Sequence, residues 1–167
     1  MASILQLRHL LIEEPQILPV PGVELRTFAG PEDVEIWLDL RHRSFAGQRV
    51  GIGQWTEADF EREFLTKPWW KPEQLWFAEV PDVIDASRRA IGTVTLAQRG
   101  SGDMARPAVH WLAVLPRWRR RGVARLLMSA VHREAWMAGG REVVLETHSG
   151  WTAAAGFYES MGYRSAE

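Results

Sequence analysis

Residues 111–125 read WLAVLPRWRRRGVAR. The apolar run 109–115 ends at Pro116 and suits a buried central strand. A short turn follows, and Val123, Leu126, Leu127, Ala130 and Val131 then recur at helical spacing. The spacing predicts a long amphipathic helix from about Gly122 to Ala138, stopped by Gly139-Gly140. The start of that helix runs against its own electrostatics. Free amides make a helix N-terminus partly positive, so acidic side chains are favoured there. This chain supplies Arg117, Arg119, Arg120 and Arg121, with Arg125 one turn in, and no Ser, Thr, Asp or Asn between Val114 and Arg125 to cap the amides. An anion among them resolves the conflict, and Gly122 lets it approach the backbone closely. The segment therefore reads as a phosphate or pyrophosphate cradle. Two plainer readings stand beside it: a solvated basic turn, and a basic patch for nucleic acid. GxxxxGK[ST] is absent, and Gly51-Ile52-Gly53 lacks the third glycine and the preceding strand of a dinucleotide site.

Upstream, residues 23–28 read as a strand. Pro31 opens a helix that carries Val34, Trp37, Leu38 and Arg41 on one face and ends near Gly47. Residues 47–55 form a Gly-rich loop, and residues 56–66 a second helix with Thr56 as its cap. Pro68 and Pro72 interrupt helix around Trp69-Trp70. Residues 75–80 and 90–98 suggest a hairpin. Downstream come a strand at 143–147 and a short helix at 152–161, stopped by Gly162. Residues 1–20 look like an arm in which Leu5, Leu7, His9 and Leu11 alternate as a strand would. The order predicts one mixed domain, α/β (α+β), with an arm at 1–22 and the domain proper at 23–167.

Composition narrows the class. The chain has 167 residues, 46% hydrophobic and 25% charged, with a net charge of −1, so an anion site must be local rather than global. It contains no Cys, which excludes a disulfide framework and a cysteine nucleophile and fits a cytoplasmic location. No run approaches the ~18 apolar residues of a membrane helix, and the first residues do not form a signal peptide. Nine Trp suggest an aromatic-rich core or pocket.

LAVLPRWRRRGVARLL resembles the acetyl-CoA signature of the GNAT superfamily of N-acetyltransferases, [Q/R]-x-x-G-x-[G/A], here Arg119-x-x-Gly122-x-Ala124. The tail LETHSGWTAAAGFYESMGY resembles that family's second half, most closely in the branch that acetylates the N-terminal alanine of a ribosomal protein. The resemblance implies a mostly antiparallel mixed sheet flanked by helices, acetyl-CoA as co-substrate, and a small-molecule amine or a protein N-terminus as acceptor. It places the diphosphate on the amides of Arg119, Arg120, Arg121, Gly122, Val123 and Ala124, with Arg120, Arg121 and Arg125 adding charge. It places the pantetheine along Leu112, Ala113 and Val114. Tyr158 takes the position of the tyrosine that protonates the departing thiolate, and Glu146 that of the glutamate base. Trp151 stands where Asn is usual and Arg120 where Gly is frequent. The chain stops at Glu167, where family members usually continue into a final strand. The arm is expected to take that strand's place through residues 3–12, in cis or by exchange in a homodimer, because the edge of strand 143–147 needs cover.

Without the resemblance, Glu146 is a solvated strand-end carboxylate and Tyr158 a core aromatic. His110 is a rival base, and a lone His on a buried strand is more often a hydrogen-bonded core residue. His148 shares a strand face with Glu146, but no third ligand is evident, so no metal site is expected. His9, His42 and His132 give no site signal, and the carboxylates from Glu32 to Asp39 read as a solvated helix face. The loop Gln48–Trp55 holds no carboxylate, which disfavours a polycationic acceptor, and its Arg49 offers a partner for an acceptor anion. The sequence thus supports an acetyltransferase first, then a non-catalytic CoA-binding module, and less strongly a nucleic-acid binder using the Arg cluster.

Overall fold

The computed structural model describes residues 3–47, 53–85 and 87–166. The elements follow in the order β1 (Ile4–Leu10), β2 (Glu24–Thr27), α1 (Glu32–Ser44), α2 (Glu57–Phe60), β3 (Leu75–Pro81), β4 (Arg88–Arg99), β5 (Arg106–Val114), α3 (Val123–Met137), β6 (Glu142–His148), α4 (Thr152–Ser160) and β7 (Arg164–Ser165). Helix α2 runs on into a wider π turn over Glu61–Leu65. Seven strands form one sheet in the order β2-β3-β4-β5-β6-β1-β7. Every neighbouring pair is antiparallel except β5 with β6.

Helix α3 lays the apolar stripe Val123, Leu126, Leu127, Ala130 and Val131 on the sheet, all buried. Beneath it lie Leu7, Val94, Leu96, Val109, Val143 and Leu145. Alternation then turns the intervening residues of β4, β5 and β6, such as Thr95, His110 and Glu146, to the opposite face. On that face α1 and α2 gather an aromatic core. Trp37 packs against Phe60 and Phe64 at ring separations of 5.2 and 4.9 Å, and Phe28 against Trp70 at 5.3 Å.

The two long helices begin in opposite ways. At α1 the first turn carries Glu32, Asp33 and Glu35. Asp33 Oδ2 accepts from the Ala29 amide at 2.7 Å and pairs with Arg26, which also binds Glu79 at 2.8 Å. Asp33 is therefore buried at 5% exposure, a correction to the reading of this stretch as a solvated face. It belongs to a paired network that needs partners on β2 and β3. At α3 the first turn carries no acidic residue and no side chain caps it.

The first strand covers the edge of β6. Residues Ile4 to Leu10 pair with His148 to Glu142, and β7 adds two residues on the outer side of β1. Gly162, at φ +97°, turns the chain into β7 where a Cβ would sit 2.8 Å from the His9 ring. Beyond β1 the chain doubles back along α3. Arg133 binds Glu14 and the Pro15 carbonyl, and the Leu18 amide donates to Ser129 Oγ at 3.0 Å. Val20 ends beside Gly122 at the opposite end of the helix.

Candidate active site

Strand β5 carries an irregularity that shapes the site. Thr93 lies opposite Ala113 and Thr95 opposite His110, so Trp111 and Leu112 together face one residue, Val94. This is a β-bulge, which bends a strand and increases its twist. Trp111 adopts φ 51°, the left-handed region that a bulky residue rarely occupies. Its ring is held by Trp55 at 5.0 Å, Phe45 at 5.8 Å and Trp37 at 6.1 Å, with the Arg41 guanidinium 4.9 Å from its centroid. Among the described residues β5 and β6 register at one position, Ala108 opposite Val144. Past the bulge Leu112 and Ala113 have no register partner on β6 among the described residues, so the β5–β6 pairing stops short of the turn. The edges left open there are suited to an extended ligand.

The turn before α3 comes next. Pro116–Trp118 form one 3₁₀ turn, Arg120 takes φ 60°, and Gly122 takes φ +86° as the residue preceding the helix. No acceptor is found among the described residues for the amides of Arg120 to Arg125. The Arg119 amide is different, since it donates to Pro116. The arginines divide likewise. Arg119 donates through Nε to the Val114 carbonyl and through Nη2 to the Ser44 carbonyl. Arg125 donates to Ser160 Oγ at 2.9 Å and so ties α3 to α4. Arg121 lies over the Trp118 ring at 5.2 Å. Arg120 is exposed.

Glu146 and Tyr158 lie on opposite sides of β6. Glu146 shares the face of His110, accepts from Gln6 Nε2 and pairs with Arg99 at 3.1 Å. Tyr158 is on the α3 side, buried beside Tyr163 at 5.8 Å. Burial pushes the Tyr158 phenol well up, so it keeps its proton at neutral pH. His148 does not meet Glu146 in a shared site; its Nδ1 accepts from the Gly150 amide. The expected hydrogen bond of a core histidine is missing at His110. Its Nε2 is buried without a partner, and burial, then Lys67 and Arg99, push its pKa down to about 4. Trp151, at the start of α4, stacks on Phe45 at 5.9 Å. Arg49 lies outside the described residues.

Buried unpartnered polar atoms cluster here. They are Trp37 Nε1, Arg41 Nε, Ser44 Oγ, Thr95 Oγ1, His110 Nε2 and Trp151 Nε1. Such atoms are uncommon in folded proteins and call for an explanation. All six lie on residues that surround Trp111 or adjoin those that do. Sequence reasoning missed Trp111, Arg41, Arg99 and Gln6 as parts of this site. The nine tryptophans were the one signal that pointed to it.

Residues 71–165 match the family model described as the acetyltransferase (GNAT) domain. The chain belongs to the GNAT acetyltransferase family. It is 33% identical over 150 residues to the mycothiol acetyltransferase of Thermobispora bispora, covering 87% of this chain and 49% of that one. It is 33% identical over 141 residues to the mycothiol acetyltransferase of Mycolicibacterium paratuberculosis, covering 81% and 42%. The chain thus spans about half the length of the curated relatives it matches. Among solved structures, a GCN5-related N-acetyltransferase from Sphaerobacter thermophilus superposes with a TM-score of 0.74 at 20% identity, over 97% of this chain and 48% of that one. The aminoglycoside acetyltransferase AAC(6')-Iy with a bisubstrate analogue superposes with 0.61 at 23% identity, over 87% and 92%. These likenesses establish the GNAT fold, a mostly antiparallel sheet flanked by helices.

Proposed function

We propose that this protein transfers the acetyl group of acetyl-CoA to a primary amine by direct attack in a ternary complex. The observation that carries this reading is the row of unpaired amides from Arg120 to Arg125, set around left-handed Gly122 past the point where the β5–β6 pairing stops. Such a helix start receives a diphosphate through backbone N–H groups and the helix dipole. Arg120 and Arg121 add charge from outside. The backbone of Leu112, Ala113 and Val114 receives the pantetheine arm; the Val114 carbonyl already holds Arg119. Arg119 and Arg125 brace the cradle rather than bind the anion, through their bonds to α1 and α4.

When bound, acetyl-CoA supplies an activated acetyl thioester; the chain supplies orientation and proton management. Glu146, half-exposed on β6, accepts the proton that the acceptor ammonium must lose. Tyr158, kept protonated by burial, holds a proton for the leaving thiolate. With no Cys, a covalent acyl-thiol route has no nucleophile in this chain. The acceptor is a small-molecule amine or a protein N-terminus. The relatives, named as mycothiol acetyltransferases and aminoglycoside acetyltransferases, support the reaction class and not the acceptor.

Release of CoA from acetyl-CoA in the presence of amines, followed with a thiol reagent, tests the reading. Amine-dependent release supports it. A stabilising shift with acetyl-CoA and no release with any amine instead identifies a CoA-binding module, a reading that Trp151 in the usual Asn position favours.

A further inference from the structure

The ion pair between Arg99 and Glu146 is open rather than sealed. Its side chains are 41% and 45% exposed, and it lies on the sheet face that β4, β5 and β6 share. Arg99 uses a single nitrogen for both of its contacts: Nη1 donates to Gln6 Oε1 at 2.9 Å and lies 3.1 Å from Glu146 Oε1. Its Nε and Nη2 have no partner among the described residues. These two donors form the edge of the guanidinium that matches a carboxylate with two parallel hydrogen bonds. A second cation, Lys67, is two residues before Trp69, whose ring lies beside His110. Lys67 makes no ion pair among the described residues. The partly exposed ring of Trp69 lies 5.8 Å from His110 and makes the apolar wall, with Phe64 buried behind it in the core.

Two cations, one carboxylate and an aromatic wall suit one kind of amine. An ammonium is attracted to Glu146 while a carboxylate a few bonds away bridges the free edge of Arg99. A polycationic amine meets Lys67 and Arg99 with like charge, which costs affinity. Resting on the acetyl-transfer reading above, we propose that the acceptor is a zwitterion of the α-amino-acid type with an apolar side chain, and that Arg99 is the residue that selects its carboxylate. Gln6 holds the Arg99 and Glu146 groups in register, so β1 takes part in acceptor selection. In the reaction the ammonium first gives one proton to Glu146; the amine nitrogen then bonds to the acetyl carbon as the C–S bond breaks, the thiolate takes the Tyr158 proton, and the second proton shed by the nitrogen restores the Tyr158 phenol.

Matched pairs test this. L-Phenylalanine is compared with phenethylamine, and L-leucine with 3-methylbutylamine, in wild type and in Arg99→Gln and Arg99→Lys. The expected wild-type kcat/KM favours each amino acid over its decarboxylated amine by about tenfold or more, the scale of one charge-assisted hydrogen bond. In Arg99→Gln that ratio collapses toward unity, chiefly through KM for the amino acid, and Arg99→Lys restores part of it. A wild-type ratio at or below unity, or a ratio unchanged in Arg99→Gln, overturns the proposal. If no amine is acetylated although acetyl-CoA binds, the transfer reading fails separately. Calorimetry on the CoA-loaded protein then decides the acceptor site: binding of L-phenylalanine in preference to phenethylamine upholds it, and equal or absent binding overturns it.

Discussion

Arg119 of the turn before α3 donates through Nη2 to the carbonyl of Ser44, the last residue of α1, while its Nε holds the Val114 carbonyl at 3.2 Å. One side chain of the arginine run therefore fastens the end of β5 to the end of a helix 75 positions away. Its neighbour Arg120 does nothing comparable. Arg119→Ala is expected to lower stability by about 1 kcal/mol without any ligand, through two lost charge-assisted bonds on a partly exposed group. Arg120→Ala should leave unliganded stability within ~0.5 kcal/mol and weaken acetyl-CoA binding. Urea titrations with and without acetyl-CoA separate the two roles.

Gly122 combines two constraints. Its φ of +86° disfavours any side chain, and a Cβ would sit 3.2 Å from Val20 Cγ2 of the arm. Gly122→Ala is expected to cost about 1–2 kcal/mol. Gly122→Glu should also abolish stabilisation by acetyl-CoA, because its carboxylate faces the diphosphate. A folded Gly122→Glu protein with an undiminished thermal shift would show the cradle to be misplaced.

Tyr158→Phe is expected to lower kcat at least tenfold while acetyl-CoA still raises the melting temperature, since only a proton is removed. Glu146→Gln should depress kcat at neutral pH and recover part of it above pH 8, where more of the acceptor is already free amine. Parent-like rates in both variants would remove these residues from the chemistry.

Buried histidines set an acid limit on stability. Burial and its neighbours push His110 and His132 from 6.5 down to about 4, and His132 Nε2 is hydrogen-bonded to Tyr163 Oη at 2.8 Å. The folded state prefers both rings neutral, so the unfolded chain binds more protons between pH 6.5 and 4. Their contribution is fully present above about pH 6.5 and is lost as pH falls toward 4, on the order of 3 kcal/mol per ring. Unfolding free energies measured from pH 7 to 4.5 should decline, and His132→Gln should flatten the decline.

Much of this was legible from local pattern. The strand, turn and helix around Gly122 showed themselves through periodicity and through a basic helix start with no cap, both properties of adjacent residues. Asp33 was misread because what makes it a buried residue, Arg26 and Glu79, comes from two other elements. Glu146 was singled out from the resemblance alone, and what holds it was not: Gln6 is 140 positions away in the chain and Arg99 sits at the end of another strand. The left-handed Trp111 had no local signature, because tryptophan is an ordinary strand residue and the bulge is defined only against β4. The two-residue β7 offered too short a run for any periodicity to register.

Removing residues 2–14 would take away a strand that pairs along seven positions with β6 and carries β7 on its other side. The expected outcome is loss of cooperative unfolding, seen by calorimetry. A truncated protein with unchanged melting and activity would show the strand to be dispensable.

The placement of β1 also sets an order of assembly. Strand β1 has its neighbours on β6 and β7, which are made after every other strand of the sheet, and the Ser3 amide bonds to a side chain 146 positions later. During synthesis that strand has to wait in an unpaired state while β2 through β5 and α3 can already collapse around their own apolar faces. Closure of the sheet is thus a late event with a long loop to close, after the rest of the fold has gathered its own core.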